Sequence, residues 1–164
     1  MRYADFIRDD SRYVRYNPTN SKVQPMSPIP ASQLVSKPYV EVAAAIIFHD
    51  GQILISQRDE KSHLSGYWEF PGGKREPDES FEECVMREIR EELNVDIEVE
   101  RFFETVQYEY SEKIVLLKFY FCRYLGGEAQ ALGCRQCKWV PVRELRGYPF
   151  PPANEPILQK LLHA

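Results

Sequence analysis

The sequence predicts an α/β (α+β) fold, in which helices cover both faces of a mixed central β-sheet. Several short apolar runs have the length, alternation and β-branched or aromatic content of strands. Between and after them lie two amphipathic segments with the period of a helix. The 164 residues of the chain suffice for one domain with a buried core. These observations together favour an α/β/α sandwich.

The predicted strands begin after residue 38. The first is an apolar run, and Asp50-Gly51 after it is a hairpin signal that returns the chain as a second strand. A polar loop at Asp59–Gly66 precedes a short third strand. Two aromatic-rich strands then flank a tight turn at Ser111–Lys113, and a last strand follows. The predicted strands are Val40–Phe48, Gln52–Gln57, Tyr67–Phe70, Phe102–Tyr110, Ile114–Tyr124 and Lys138–Pro141.

The helices are predicted from their end signals. Ser80 and Glu83 have the spacing of a capping box, so a helix should begin at residue 81 and run to residue 93. Asn94 then stands where a left-handed C-cap is expected. Val142–Leu145 predicts a helical turn, and a final helix should run from Glu155 to Leu162.

Residues 1–38 differ from the domain predicted at 39–164. They contain five prolines and many polar residues without a clear period, which indicates an extended N-terminal arm with at most one short helix near Tyr3–Asp9. Tyr3, Tyr13 and Tyr16 suit docking on the domain or on a second subunit. A loosely ordered tail is the alternative.

Composition limits the classes of function. Apolar residues make up 43% and charged residues 28% of the chain, as in ordinary globular proteins. A net charge of −4 disfavours non-specific nucleic-acid binding. The longest apolar run, Val42–Phe48, is too short to cross a membrane, and no signal-peptide layout opens the chain. We therefore expect a cytoplasmic protein with reduced cysteines; Cys134 and Cys137 lack the further ligands that a zinc site needs.

Helix 81–93 carries carboxylates on its inner side. On a helical wheel, Phe81, Cys84, Val85, Ile89 and Leu93 form one apolar stripe, with Arg87, Arg90 and Glu83 opposite. Glu88 and Glu92 fall inside this stripe and Glu91 lies at its edge. The spacing i, i+3, i+4 makes the three glutamates neighbours, so their charges repel and lose hydration. A hard divalent cation such as Mg²⁺ would relieve both costs.

The loop before this helix adds to the metal hypothesis. Phe70-Pro71-Gly72-Gly73-Lys74 places two glycines where a strand turns into a loop, and glycine allows a phosphate to approach the backbone closely. Alone, this motif would indicate only a turn. Beside the glutamates it indicates one wall of a phosphate site.

Residues 73–95 resemble the Nudix box, Gly-x5-Glu-x7-Arg-Glu-U-x-Glu-Glu-x-Gly-U, where U is aliphatic. Gly73, Glu79, the Arg87-Glu88 pair and the Glu91-Glu92 pair stand at the fixed positions. Asn94 replaces the last glycine, and asparagine is the best non-glycine residue for left-handed backbone. The resemblance implies a Nudix-type α/β/α sandwich and hydrolysis of a nucleoside diphosphate linked to another group.

The resemblance also implies roles for single residues. The metal ion, Mg²⁺ or alternatively Mn²⁺, would be held by three helix glutamates and one loop carbonyl: Glu88, Glu91, Glu92 and Gly73. Arg87 would orient the glutamates, and Glu79 would support metal or water from the loop.

The substrate is predicted from residues outside the box. The segment Phe150–Leu158 resembles the tail of the MutT branch, whose members remove oxidised guanine nucleotides, and this likeness implies that Asn154 recognises the base. An amide can donate to O6 of 8-oxoguanine and accept from its N7–H, whereas N7 of ordinary guanine is an acceptor. Without the resemblance, Asn154 would be an N-cap of the last helix.

Four further residues are carried over from the MutT branch. Arg58 and Lys74 would contact phosphate, and Phe70 and Tyr110 would flank the base or sugar; a solvated cation and a core aromatic are the respective alternatives. One position departs from the branch: Lys138 stands before Trp139 where a glutamate near the metals is common. This departure leaves the fourth carboxylate and the general base open.

The sequence thus predicts a Mg²⁺-dependent enzyme that cleaves a nucleoside triphosphate, with 8-oxo-dGTP as the leading substrate, to the monophosphate and pyrophosphate. The alternatives are another nucleotide (CTP or dCTP, ADP-ribose, a dinucleoside polyphosphate) or a non-catalytic nucleotide-binding Nudix domain. The expected partner is a small nucleotide, with neither nucleic acid nor membrane. Monomer and homodimer both stay open.

Overall fold

The structure is a computed structural model that describes residues 13–15, 24–25 and 37–163. The described residues form nine strands, two α-helices and two 3₁₀ turns. The strands are β1 (Tyr13–Arg15), β2 (Gln24–Pro25), β3 (Tyr39–His49), β4 (Gln52–Gln57), β5 (Trp68–Glu69), β6 (Gly72–Lys74), β7 (Asp96–Glu109), β8 (Ile114–Gly126) and β9 (Gln136–Pro141). The helices are α1 (Phe81–Leu93) and α2 (Glu155–His163), and the 3₁₀ turns are Val142–Gly147 and Pro152–Asn154.

The described strands form one mixed sheet, as predicted. Its order is β2-β1-β7-β8-β3-β4-β5, with β6 paired to β3 and β9 paired to β4. β3 runs parallel to β8 and antiparallel to β4 and β6. The Asp50-Gly51 hairpin is confirmed, with both residues at positive φ, 47° and 75°.

Helices lie on the two faces of the sheet, and each face has its own core. On one face, the buried side of α1 packs with Ala43, Ala45 and Leu54; we call this the α1-side core. On the other, Leu158 and Leu161 of α2 pack with Ile55, Phe70 and Phe119 in the α2-side core. Alternation along the strands produces this division, because successive side chains point to opposite faces.

Helix α1 begins and ends where its signals predict. Ser80 accepts a hydrogen bond from the Glu83 backbone, and the Glu83 side chain accepts one from the Ser80 backbone, so the capping box is complete. Asn94 takes the left-handed conformation, with φ 56° and ψ 35°, and its N–H donates to Arg90. The substitution of asparagine for glycine in the box is therefore accommodated by the backbone.

The strand predictions were wrong at three places. β7 begins at Asp96 rather than at residue 102: the prediction overlooked the alternation of Ile97 and Val99 with Glu98 and Glu100, which is the pattern of a strand, and this stretch pairs with β8. β6 was missed, since Gly72 and Gly73 carry no side-chain signal for their pairing with β3. The short strand after the polar loop is confined to Trp68–Glu69.

Most of the N-terminal arm, including the helix predicted near Tyr3–Asp9, lies outside the described residues. The part that is described pairs with the edge of the sheet: the backbone of β1 runs parallel to Thr105–Gln107 of β7, and β2 pairs with β1. Among the described residues, no helix combines the length and the apolar composition needed to cross a membrane.

Candidate active site

The burial of the α1 glutamates follows the prediction from the helical wheel. The Glu88 side chain is 14% exposed, Glu92 is half-buried, and Glu91 at the edge of the stripe is 60% exposed. The apolar residues of the stripe are buried beneath them, except that Phe81 is only partly buried. The helix therefore holds two carboxylates against the protein and one towards solvent.

Gly73 brings β6 against this row of carboxylates. A Cβ placed on Gly73 would lie 2.1 Å from the Glu88 carboxyl carbon, so only glycine admits Glu88 in this position. The Gly73 carbonyl faces α1, where it accepts a weak hydrogen bond from the Cys84 thiol at 3.6 Å. The predicted loop carbonyl and the predicted helix carboxylate are thus in direct proximity.

Arg87 gathers the carboxylates of the box. Its guanidinium donates to both oxygens of Glu79, at 3.0 and 2.7 Å, to Glu88 at 2.9 Å and to Glu91 at 3.3 Å. The wheel places Arg87 on the outer side, but it is only 26% exposed because Glu79 and the Lys74 carbonyl cover it. The Arg87 hydrogen bonds lower the pKa of Glu79 to about 2, which keeps that carboxylate ionised.

Negative charge accumulates around Glu92. Burial first, and then the nearby charges of Glu88, Glu69 and Glu91, raise the pKa of Glu92 to about 7, while Arg58 opposes them. We call the row of Glu88, Glu91 and Glu92 on α1 the α1 wall. The carboxylates of this wall, together with Glu69, outnumber the neighbouring cations Arg87 and Arg58.

The donors fit a divalent metal ion. They are hard carboxylate and carbonyl oxygens, the type of ligand that Mg²⁺ takes, and the space at Gly73 is one that any Cβ would fill. A cation beside Glu92 would also offset the like charges that raise its pKa. Among the described residues, no three acidic, histidine or cysteine side chains already surround one point, since Arg87 holds Glu88 and Glu91.

A pocket of about 210 Å³ opens beside the carboxylates, on the face of the sheet that carries α2. Its floor is apolar, with Val42, Ala44, Val115 and Leu117 among the lining residues. Around this floor the structure brings together every residue predicted to contact the substrate: Arg58, Phe70, Lys74, Tyr110 and Asn154, together with Gly73. These six positions are spread over more than 90 residues of sequence, so only the fold makes them neighbours.

Asn154 is 5% exposed and lines the pocket. Asn154 ends the 3₁₀ turn Pro152–Asn154 and directly precedes α2, and in the part of the chain that the structure describes its side chain makes no capping hydrogen bond to the first turn of α2. Among the described residues, the side-chain amide of Asn154 has no hydrogen-bond partner; its backbone N–H donates to Pro151. A buried amide at a pocket wall therefore keeps its donors and acceptor for a ligand.

The two aromatic residues differ in their positions. Phe70 is 3% exposed and packs against Phe119 and Phe150, so it is a core aromatic that also lines the pocket. Tyr110 is half-buried at the rim, with its ring 5.2 Å from the His63 ring, and burial raises the pKa of its hydroxyl to about 12.

The two predicted phosphate cations also differ. Lys74 is exposed and lines the pocket. Arg58, by contrast, already donates hydrogen bonds to the Glu69 carboxylate at 2.5 Å and to the His63 carbonyl at 2.7 Å. Glu69 was missed by the sequence analysis. Its place beside Trp68 in a two-residue strand puts it on the face of α1, a position that the alternation of a strand could have revealed.

The Lys138 side chain lies on the α2 side of the sheet, whereas the buried side of α1 packs on the other side. The Cα partner of Lys138 is Ile55 of the α2-side core, and its ammonium lies 5.2 Å from the centre of the Trp68 ring. Trp139 points to the other face and packs on the α1-side core. Lys138 therefore leaves the charge around Glu92 unchanged.

Comparison with known proteins agrees with this geometry. A sequence profile of the NUDIX domain matches residues 42–160. The chain belongs to the Nudix family. This Nudix hydrolase is similar to the CTP pyrophosphohydrolase of Escherichia coli. The two are 39% identical over 123 residues, which cover 75% of this chain and 91% of that protein. Another similar protein is the 8-oxo-dGTP diphosphatase of the same organism, 32% identical over 74% of this chain and 95% of that protein.

Solved structures show the same relationship for the Nudix hydrolase. The solution structure of the E. coli ORF135 protein superposes with a TM-score of 0.67, at 37% identity over 78% of this chain and 91% of that chain. The MutT protein of Methanosarcina mazei superposes with a TM-score of 0.71, at 27% identity over 77% and 95% of the two chains. The predicted Nudix-type α/β/α fold is confirmed.

Proposed function

We propose that this Nudix hydrolase is a Mg²⁺-dependent diphosphatase that converts an oxidised purine nucleoside triphosphate, such as 8-oxo-dGTP, to the monophosphate and pyrophosphate. The observation that carries the choice of base is Asn154, a buried amide whose side chain has no hydrogen-bond partner within the described part of the chain and which lines the pocket. The 8-oxo-dGTP diphosphatases among the relatives support the same choice.

In this proposal, one set of residues would hold the metal ion and another would contact the phosphates. Glu88, Glu91 and Glu92, with the Gly73 carbonyl, would hold the metal ion, while Arg87 and Glu79 fix the carboxylates from behind. Lys74 and Arg58 lie where phosphate oxygens would pass from the pocket to the carboxylates. When bound, the metal ion lowers the pKa of water and neutralises charge on the phosphate oxygens.

A second candidate substrate is CTP, because the E. coli relative that is 39% identical is a CTP pyrophosphohydrolase. The Asn154 amide fits cytosine as well, since it can donate to N3 and accept from the N4 amino group. ADP-ribose and dinucleoside polyphosphates share the diphosphate chemistry but have no specific observation in their favour.

The test is hydrolysis of a nucleotide panel by the full chain with Mg²⁺: 8-oxo-dGTP, dGTP, CTP, dCTP, ADP-ribose and a dinucleoside polyphosphate. We expect the largest kcat/KM for 8-oxo-dGTP, because ordinary guanine would set its N7 acceptor against the Asn154 carbonyl. Equal kcat/KM for 8-oxo-dGTP and dGTP would overturn the assignment of the base, and a larger value for CTP would establish the second candidate.

Asn154→Ala should lower kcat/KM for the preferred nucleotide by roughly 10–100-fold and bring it close to the value for dGTP. Gln159→Ala is the matched control, because this amide is exposed on α2 and bonds only to Glu155. If Asn154→Ala keeps the wild-type preference among bases, Asn154 does not recognise the base.

A further inference from the structure

Residues 127–133, which follow β8, fold back over the end of α1; we call this segment the clasp. Three of its backbone N–H groups donate to the last turn of the helix: Gln130 to the Leu93 carbonyl at 2.9 Å, and Leu132 and Gly133 to the Glu92 carbonyl at 2.9 and 3.1 Å. The last four carbonyls of a helix have no partner within the helix. The clasp therefore supplies the end of α1 with donors and holds Glu92 by its backbone.

The clasp also meets the side chain of Glu92. A Cβ placed on Gly133 would lie 2.7 Å from Cγ, 3.0 Å from Cβ and 3.1 Å from the carboxyl carbon of Glu92. Contacts this short along the stem of the side chain cannot be relieved by moving its tip alone. The absence of a side chain at Gly133 thus leaves room for the Glu92 side chain to lie beside the clasp.

The clasp thus lies beside a side chain that a neighbouring charge repels. Glu88 and Glu92 lie one turn apart on the same side of α1, and like charges at this spacing repel each other. Contact with Gly133 removes part of the space into which the side chain could turn. A carboxylate held in this way is already arranged for a cation that it shares with Glu88 and Glu91.

We propose that Gly133 is a positioning residue for Glu92: its missing side chain lets the clasp lie against Glu92 and fix the carboxylate for the metal ion. This inference rests on the proposed function, in which Glu92 is a metal ligand. Gly133 itself touches neither metal nor nucleotide.

The test is Gly133→Ala in the full chain, with Gly147→Ala as the matched control. A Cβ on Gly147 would meet nothing within 4 Å, and neither glycine has a positive φ, so both substitutions avoid backbone strain. Binding of Mn²⁺ alone is measured by electron paramagnetic resonance, and kcat and KM are measured with Mg²⁺ and the preferred nucleotide.

For Gly133→Ala we expect Mn²⁺ affinity and kcat to fall, each by roughly 10–100-fold, the usual effect of losing a group that orients a metal ligand. KM for the nucleotide should change less than kcat, because Gly133 does not line the nucleotide pocket. Gly147→Ala should leave all three quantities unchanged. Wild-type Mn²⁺ affinity in Gly133→Ala would overturn the proposal.

A double-mutant cycle with Glu92→Gln tests whether Gly133 acts through Glu92. Adding Gly133→Ala to Glu92→Gln should cause no further loss of Mn²⁺ affinity, and a further loss equal to that in wild type would overturn the proposal. Failure of Gly133→Ala to fold would also overturn it, since the inference requires the clasp and Glu92 to shift locally around the added methyl group while the fold stays intact. If Glu92→Gln alone leaves metal affinity and turnover intact, the proposed function fails instead.

Discussion

Replacing Glu92 with glutamine removes one negative charge from the crowded wall of α1 while keeping nearly the same shape. The pKa of Glu92 rises from 4.5 to about 7, first because burial penalises the charged form and then because Glu88, Glu69 and Glu91 repel it. In the metal-free protein at neutral pH, the ionised Glu92 therefore works against folding. In the proposed function, the same charge helps to hold the metal ion.

The size of the effect on stability follows from the two pKa values. A rise from 4.5 to about 7 corresponds to an upper bound of about 3.4 kcal/mol at high pH. Partial exposure of Glu92 to solvent reduces this to roughly 1–2 kcal/mol. Because the pKa is raised by folding, stability is fully present below pH 4.5 and is lost as pH rises through 7. Glu92→Gln should remove this loss.

We therefore expect Glu92→Gln to be more stable than wild type by roughly 1–2 kcal/mol at pH 8 in the presence of a chelator, and nearly equal at pH 4.5. In Mg²⁺ its kcat should fall by roughly 10²–10³-fold, because the wall loses one charged ligand of the metal ion. Urea unfolding followed by circular dichroism measures the first effect, and nucleotide hydrolysis measures the second.

Glu128→Gln is the matched control, because Glu128 is an exposed carboxylate outside the α1 wall and should change neither quantity. A Glu92→Gln protein that is less stable than wild type at pH 8 without metal would refute the electrostatic argument. Wild-type kcat in Glu92→Gln would refute the metal role and favour the non-catalytic alternative.

Two further predictions concern other charges in the protein. Lys160→Met should lower the free energy of unfolding by roughly 3 kcal/mol, because its partner Glu104 is fully buried and would be left unpaired; urea unfolding measures this, and Glu104→Gln added to Lys160→Met should restore much of the loss. Arg87→Gln should lower kcat by roughly 10–100-fold with little change in KM, since Glu79 and Glu88 lose their shared donor; steady-state kinetics tests this, and an unchanged kcat would contradict it.

Local signals in the sequence determined the helix that bears the glutamates. The capping box at Ser80 and Glu83, the left-handed Asn94 and the wheel positions of Glu88 and Glu92 all depend on residues within one or two turns of each other. Helix ends and faces are short-range properties, so the sequence alone predicts them well. The Nudix family follows from the same 23-residue segment, whose spacing is the family's signature.

Only the tertiary structure decided what surrounds that helix. Glu69 beside Glu92, the clasp on the end of α1 and the meeting of Arg58 with Asn154 all join residues that are distant in sequence. The direction of Lys138 depends on the register of β9 against β4, and a shift by one residue would turn it to the other face. Pairing and register depend on contacts across the whole fold, and no local pattern encodes them. The carboxylates were therefore predictable, while their walls, their charge balance and their pocket were not.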